Sequence, residues 1–184
     1  LTDLLVFGKS SGTTLSNALK TESQWRDLPS DAADVSLERL NRIDSNNSGE
    51  SVSEVGQEIR DVMQKHCGVF RFPDLLEEGV TKIKQTEEKV NNLSISDKSK
   101  IFNTARIEAL EIQNLIEVAV SSLLSADARK ESRGAHDRED FTERNDKDWL
   151  KHTMWFKNDD ALKYKKVNLK PMTIDSVDPV KRTY

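Results

Sequence analysis

A mainly α chain is predicted, with three helices, then a β-hairpin and an extended tail, and one further helix ahead of them all. Two observations carry this. Apolar residues recur at three- to four-residue spacing through three long stretches between residues 51 and 130, and the period then shortens towards alternation between 149 and 169. Strong breakers punctuate the stretches: Asp44-Ser-Asn-Asn-Ser-Gly49, Gly68, Pro73 and Asn91-Asn92.

The first helix covers 1–20, with Leu1, Leu4, Leu5, Val6 and Phe7 followed by Leu15, Ala18 and Leu19. Gly8, Ser11 and Gly12 are small and helically spaced, which allows close approach to another backbone. Nothing in the next residues offers this helix a partner, so the expectation is that it closes a larger unit and that a longer chain precedes Leu1. Residues 21–50 read as a linker holding a short amphipathic helix over Val35–Ile43.

The domain proper is expected over 51–184. Ser51 or Ser53 caps a helix over 51–67, with Val52, Val55, Ile59, Val62 and Met63 on one stripe and Gly68 in the place of a C-terminal cap. Pro73 and Asp74 open a second helix, 74–92. The third and longest covers 98–130. Ile101, Ala105, Ile112, Ile116, Ala119 and Leu123 line one face, and Leu110, Leu115, Val118 and Leu124 widen it, so it is expected at the centre of the three. After a charged loop, Trp149–Phe156 and Leu162–Leu169 flank Lys157-Asn-Asp-Asp-Ala161 as a hairpin over 149–169, with Trp149 and Trp155 on one strand face. The tail 170–184 contains Pro171 and Pro179 and is expected to be extended.

Composition narrows the function. Of the 184 residues 35% are hydrophobic and 33% charged, and the net charge is −4, which argues against nucleic-acid binding. One cysteine, Cys67, excludes a disulfide framework and a multi-cysteine metal site, and fits a reducing compartment. No apolar run approaches the length that spans a bilayer. His66, His136 and His152 have no ligand-spaced partners, and His66 and Cys67, adjacent on a helix, do not face each other. No glycine-rich phosphate loop or nucleophile–base arrangement is present.

The densest chemistry is Arg129-Lys-Glu-Ser-Arg-Gly-Ala-His-Asp-Arg-Glu-Asp-Phe141, which leaves the longest helix. Arg129 and Lys130 suit the negative end of a helix dipole. In Arg133-Gly-Ala-His136 a flexible Gly134 allows a tight turn that presents two polar side chains. Structural pairing with nearby carboxylates is the preferred reading, and a ligand-facing role the second. Residues 127–170 hold twelve Lys or Arg against ten Asp or Glu, which favours a salt-bridged surface.

These blocks, taken in order, resemble the C-terminal domain of the succinate dehydrogenase/fumarate reductase flavoprotein family. Leu1-Thr-Asp-Leu-Leu-Val-Phe-Gly8 is similar to the family segment Asn-Ser-Leu-Leu-Asp-Leu-Val-Val-Phe-Gly entered at its first leucine. Arg39-Leu-Asn-Arg42, Met63-Gln64 with Gly68-Val-Phe-Arg71, Arg133-Gly-Ala-His136, Asp148-Trp-Leu-Lys-His-Thr153 and Arg182-Thr-Tyr184 follow in the family's order. The resemblance implies that 1–20 is the last helix of an FAD-binding domain and 51–184 the family's C-terminal domain.

Succinate oxidation to fumarate is the activity so implied. Hydride passes to the flavin of FAD, and electrons continue through an iron–sulfur subunit to quinone at membrane-anchor subunits. The nucleotide-binding glycines, the flavin-attaching histidine and the substrate residues of the family all belong upstream of Leu1, so no catalytic residue is expected among these 184. Leu1 is the one implied flavin contact. Arg133, His136 and Arg182 are the implied candidates for an interface with the flavin domain and for supporting flavin attachment. The closing block tilts the resemblance towards a bacterial succinate dehydrogenase, peripheral on the cytoplasmic face of the inner membrane. Lys9 and Thr142 depart from the usual Arg and Pro, and Thr142-Glu-Arg144, found in fumarate reductases too, keeps fumarate reductase as the alternative. A non-catalytic helical interaction module without flavin is the alternative from another class.

Overall fold

The computed structural model describes residues 2–21, 27–159, 161–170 and 175–180. Two compact units emerge, Leu1–Arg39 and Leu40–Tyr184.

The first unit is dominated by α1, Thr2–Thr21, which buries none of its residues. Leu4, Leu5, Val6, Phe7, Leu15 and Leu19 all stand exposed. Helix α2, Asp34–Ser45, begins in this unit and ends in the second, where Ile43 is buried.

The second unit is a three-helix bundle of α3 (Val52–His66), α4 (Pro73–Val90) and α5 (Thr104–Ala128). Ser51 caps α3, its hydroxyl accepting from the Glu54 N–H, and Pro73 starts α4 at the position where a missing N–H does no harm. The expected C-cap glycine is not one: Cys67 caps α3 with φ −132°, and Gly68 follows without a positive φ. Val55, Ile59, Leu76, Ile83, Ile112, Ile116 and Leu123 are buried in the bundle, and Ile43, Leu93 and Ile95 join the core from outside it. Gly79 of α4 lies against His66 of α3 and Leu123 of α5. A Cβ there would sit 2.5 Å from the His66 Cβ and 3.1 Å from a Leu123 methyl.

Helix α5 starts six residues later than expected, because the Asn103 side chain accepts from the Arg106 N–H and fixes the first turn there. The same side chain donates to the Asp97 and Ser99 carbonyls and holds 97–103 as a loop. Ile101 therefore falls outside the helix and is exposed, as are Val118 and Leu115 on its outer face. The buried face is the narrower stripe Ala109, Ile112, Ile116, Ala119, Val120, Leu123 and Ala126.

Short strands tie the bundle's ends. β1 (Glu50–Ser51) runs parallel to β3 (Leu93–Ser94), and β2 (Phe70–Arg71) runs parallel to β4 (Asp137–Arg138). The hairpin forms as β5 (Lys151–Met154) antiparallel to β6 (Lys163–Lys166), shorter than the expected span. Trp149 ends the four-residue helix α6 (Asp146–Trp149) and so shares no strand face with Trp155. Trp155 packs on the core, whereas Trp149 meets Tyr164 edge to face.

Candidate functional site: an arginine cluster at the end of α5

Helix α5 must dispose of its last carbonyls, and the residues that follow do so with guanidinium groups. Arg138 is only 3% exposed. Its Nη1 donates to the carbonyls of Ala126 (3.1 Å) and Asp127 (2.8 Å), while its Nε and Nη2 form a two-pronged pair with Asp140, both at 2.7 Å. The buried charge is thus neutralised and its donors are used. Ser132 steadies the approach by accepting from the Arg138 N–H at 2.8 Å.

Glu131 is the centre of the cluster, with its side chain fully buried. Arg129 Nη1 donates to one oxygen at 2.5 Å, Arg133 grips both at 2.8 and 3.0 Å, and the Asn145 N–H adds 2.9 Å. Burial alone would raise the Glu131 pKa, but Arg133, the Asn145 N–H and Arg129 outweigh it and hold the carboxyl below its ordinary range. Arg133 also pairs with Asp146 at 2.6 Å, and Asp146 with Arg144 at 2.8 Å. The pairing with Glu131 first, then with Asp146, raises the Arg133 pKa. Arg129 turns its other nitrogen to the hairpin, donating to the Lys151 carbonyl (2.6 Å) and the Thr153 hydroxyl (3.1 Å).

Arg133-Gly-Ala-His136 is a two-residue hairpin loop closed by reciprocal backbone bonds between Arg133 and His136. Gly134 has φ +61°, which places glycine first in the loop, where a side chain would be strained. His136 is thereby set between two partners. Arg71 Nη1 donates to its Nδ1, and its Nε2 lies 3.1 Å from the Arg129 carbonyl. A guanidinium can only donate and a carbonyl only accept, so the ring is neutral with its proton on Nε2. Burial, and then the positive charges of Arg71, Arg138 and Arg129, outweigh the Arg129 carbonyl and lower its pKa.

The structure thus brings Arg133 and His136 into one cluster, and shows structural pairing for both. Leu1 and Arg182 lie outside the described residues. In the sequence Arg71 stands out only within the Gly68-Val-Phe-Arg71 block, yet it reaches 65 residues along the chain to His136. The β2–β4 ladder sets that meeting, and its two-residue strands leave no periodicity to read. Beside the cluster runs a groove of about 680 Å³, bounded by Arg71, Ser122, Ser125, Arg129, His136 and the 149–153 segment. Among the described residues no group of three or more acidic, His or Cys side chains could hold a metal ion. What the cluster does chemically is bind charge to charge and hold a surface in shape.

Comparison with known proteins places this geometry. The family model described as "Fumarate reductase flavoprotein C-term" matches residues 56–184. A succinate dehydrogenase flavoprotein subunit of Coxiella burnetii is 41% identical over 182 residues, covering 99% of this chain and 31% of the relative. A fumarate reductase flavoprotein subunit of Escherichia coli is 32% identical over 187 residues, covering all of this chain and 31% of the relative. Among solved structures, the FrdA chain of an E. coli quinol fumarate reductase variant superimposes with a TM-score of 0.81 at 32% identity, over 95% of this chain and 31% of its own. The chain spans about a third of the length of the curated relatives it matches.

Proposed function

This chain belongs to the succinate dehydrogenase/fumarate reductase flavoprotein family, and from that premise we propose that it forms the C-terminal part of a succinate dehydrogenase flavoprotein subunit. What supports this reading is the 41% identity to a succinate dehydrogenase subunit across nearly all 184 residues, against 34% and 32% for two fumarate reductase subunits of matching coverage. Fumarate reductase is the second reading, supported by the solved relative.

In this reading 1–20 closes an FAD-binding domain, 21–50 links, and 51–184 is the C-terminal domain. The exposed Leu4, Leu5, Phe7 and Leu15 of α1 are the kind of apolar surface such a domain would cover. Bound FAD would supply the hydride acceptor for succinate. This chain's own share would be to pack against the flavin domain through Arg133, His136 and Arg182 and to support flavin attachment, with Leu1 its single flavin contact. In this reading Glu131 and Arg71, which bond to Arg133 and His136, would hold that turn in place.

The partners would be the iron–sulfur and membrane-anchor subunits of the complex, on the cytoplasmic face of a bacterial inner membrane. No helix among the described residues is long and apolar enough to cross a membrane.

The test is to read the coding frame upstream of Leu1, express the whole frame with its neighbouring genes, and measure flavin content and turnover in both directions. Succinate oxidation faster than fumarate reduction supports the dehydrogenase. The reverse ratio moves the assignment to fumarate reductase, and a stop codon with no flavin domain upstream would sink both.

A further inference from the structure

The groove beside the end of α5 has walls of one sign. Arg71, Arg129, Arg133 and Lys151 all line it, and among the described residues no aspartate or glutamate does. Glu131, the partner of Arg129 and Arg133, is fully buried and absent from the lining, so it neutralises them from behind the wall rather than from within the groove. Arg71 and Lys151 have no carboxylate partner among the described residues. Arg71 donates from Nε to the Gly68 carbonyl at 3.3 Å and from Nη1 to neutral His136, which orients the guanidinium, keeps its charge and uses two of its five N–H groups. The Lys151 Nζ lies 4.6 Å from the Trp149 ring centre and 4.1 Å from that of Tyr164, contacts that hold an ammonium without cancelling its charge. Ser122 and Ser125, one helical turn apart on α5, line the same groove, and their hydroxyls have no partner among the described residues.

One groove of about 680 Å³ thus holds two uncompensated cations and two unused hydroxyls. Its match is a group that brings two negative charges and several acceptor oxygens together. A phosphoryl dianion is such a group: its oxygens accept from the arginine fork, attract the lysine as a point charge and take hydroxyl donors. A carboxylate brings one charge and two oxygens, and an apolar ligand would bury the donors unpaired. Arg71 is already held by Gly68 and His136, so little side-chain entropy is left to lose when the anion arrives.

We propose that this groove binds the phosphoryl group of a small molecule, with Arg71 as the main contact, Lys151 supplying the second charge and the Ser122 and Ser125 hydroxyls donating to the remaining oxygens. This goes beyond the flavoprotein reading and does not rest on it, since every residue invoked lies in the second unit.

The test follows the Arg71 Nε–Hε and the Ser122 and Ser125 amide NMR signals of the 184-residue chain. Inorganic phosphate, phenyl phosphate and succinate are titrated in turn, at constant ionic strength and mildly alkaline pH, where phosphate is a dianion. The expected result is a saturable shift with a phosphate probe, at a Kd of about 1 mM or tighter, and binding of succinate at least tenfold weaker. Equal saturation by the two phosphates assigns the site to the phosphoryl group itself, whereas at least tenfold tighter phenyl phosphate assigns it to an organic monoester. Arg71→Gln should weaken binding at least tenfold. Because Arg71 also holds His136, the second variant is Ser122→Glu, at an exposed helix position, which adds negative charge to the groove. It should weaken binding by a similar factor with the melting temperature unchanged. Absence of a saturable shift, succinate binding as tightly as phosphate, or undiminished binding in either variant would each overturn the proposal.

Discussion

Glu131 is the residue on which the cluster turns. It is fully buried and is held by two guanidinium groups and a backbone N–H, so neutralising it strands Arg129 and leaves Arg133 with Asp146 alone. Glu131→Gln is expected to lower stability by about 3–5 kcal/mol, the usual loss on breaking a buried pair from one side, and urea denaturation would measure it. His136 makes a prediction in pH. Its folded pKa lies below the ordinary imidazole value, so in acid the unfolded chain takes up the proton first. The stability tied to the neutral ring is complete above about pH 6.5 and is lost as the pH falls through the depressed folded value. His136→Asn should flatten the change in melting temperature between neutral and mildly acidic pH. A variant as steep as the parent would show that other groups carry that slope. At this scale the sequence spoke unevenly. The density of Arg and His after α5 was plain, and so was the preference for carboxylate pairing. That Arg71 should lie on the His136 ring was not, because the contact depends on a two-residue parallel ladder.

Helices α3 and α4 were legible because capping and stripe agree: Ser51 and Pro73 mark their starts, and Val55, Ile59, Leu76 and Ile83 recur on their inner faces. The third helix was legible in place, less so in its start and in how far its core face extends. Leu115 and Val118 look central by composition and stand exposed, since hydrophobicity alone does not say which side a neighbour takes. Nor could periodicity show that Gly79 is where three helices close. Gly79→Ala isolates that feature: helix propensity favours alanine by about 1 kcal/mol, but the added methyl meets the His66 Cβ at 2.5 Å. The clash should win, with a net loss of about 1–3 kcal/mol by thermal denaturation. Leu123→Ala, at the same junction but removing volume, should lose about 2–5 kcal/mol.

For the whole molecule the dominant fact is an uneven distribution of burial. The second unit has a continuous core, whereas α1 buries nothing and shows solvent a run of Leu, Val and Phe. The 184-residue chain is therefore expected to self-associate, with a sedimentation coefficient that rises with concentration. The double substitution Leu5→Lys and Phe7→Lys should abolish that rise while leaving the melting of the bundle unchanged. A concentration-independent coefficient in the unaltered chain would show that this apolar surface is not adhesive.

The Arg129 side chain has a consequence for how the molecule comes apart. Its backbone N–H closes the last turn of α5 on Ser125, while its guanidinium holds the carbonyls of Trp149 and Lys151. Fraying of that turn therefore releases the first strand of the hairpin at the same moment. The final turn of the helix and β5 should open to deuterium as one cooperative unit, with a shared opening free energy, although residues 129–150, with β4 and α6 among them, lie between the two.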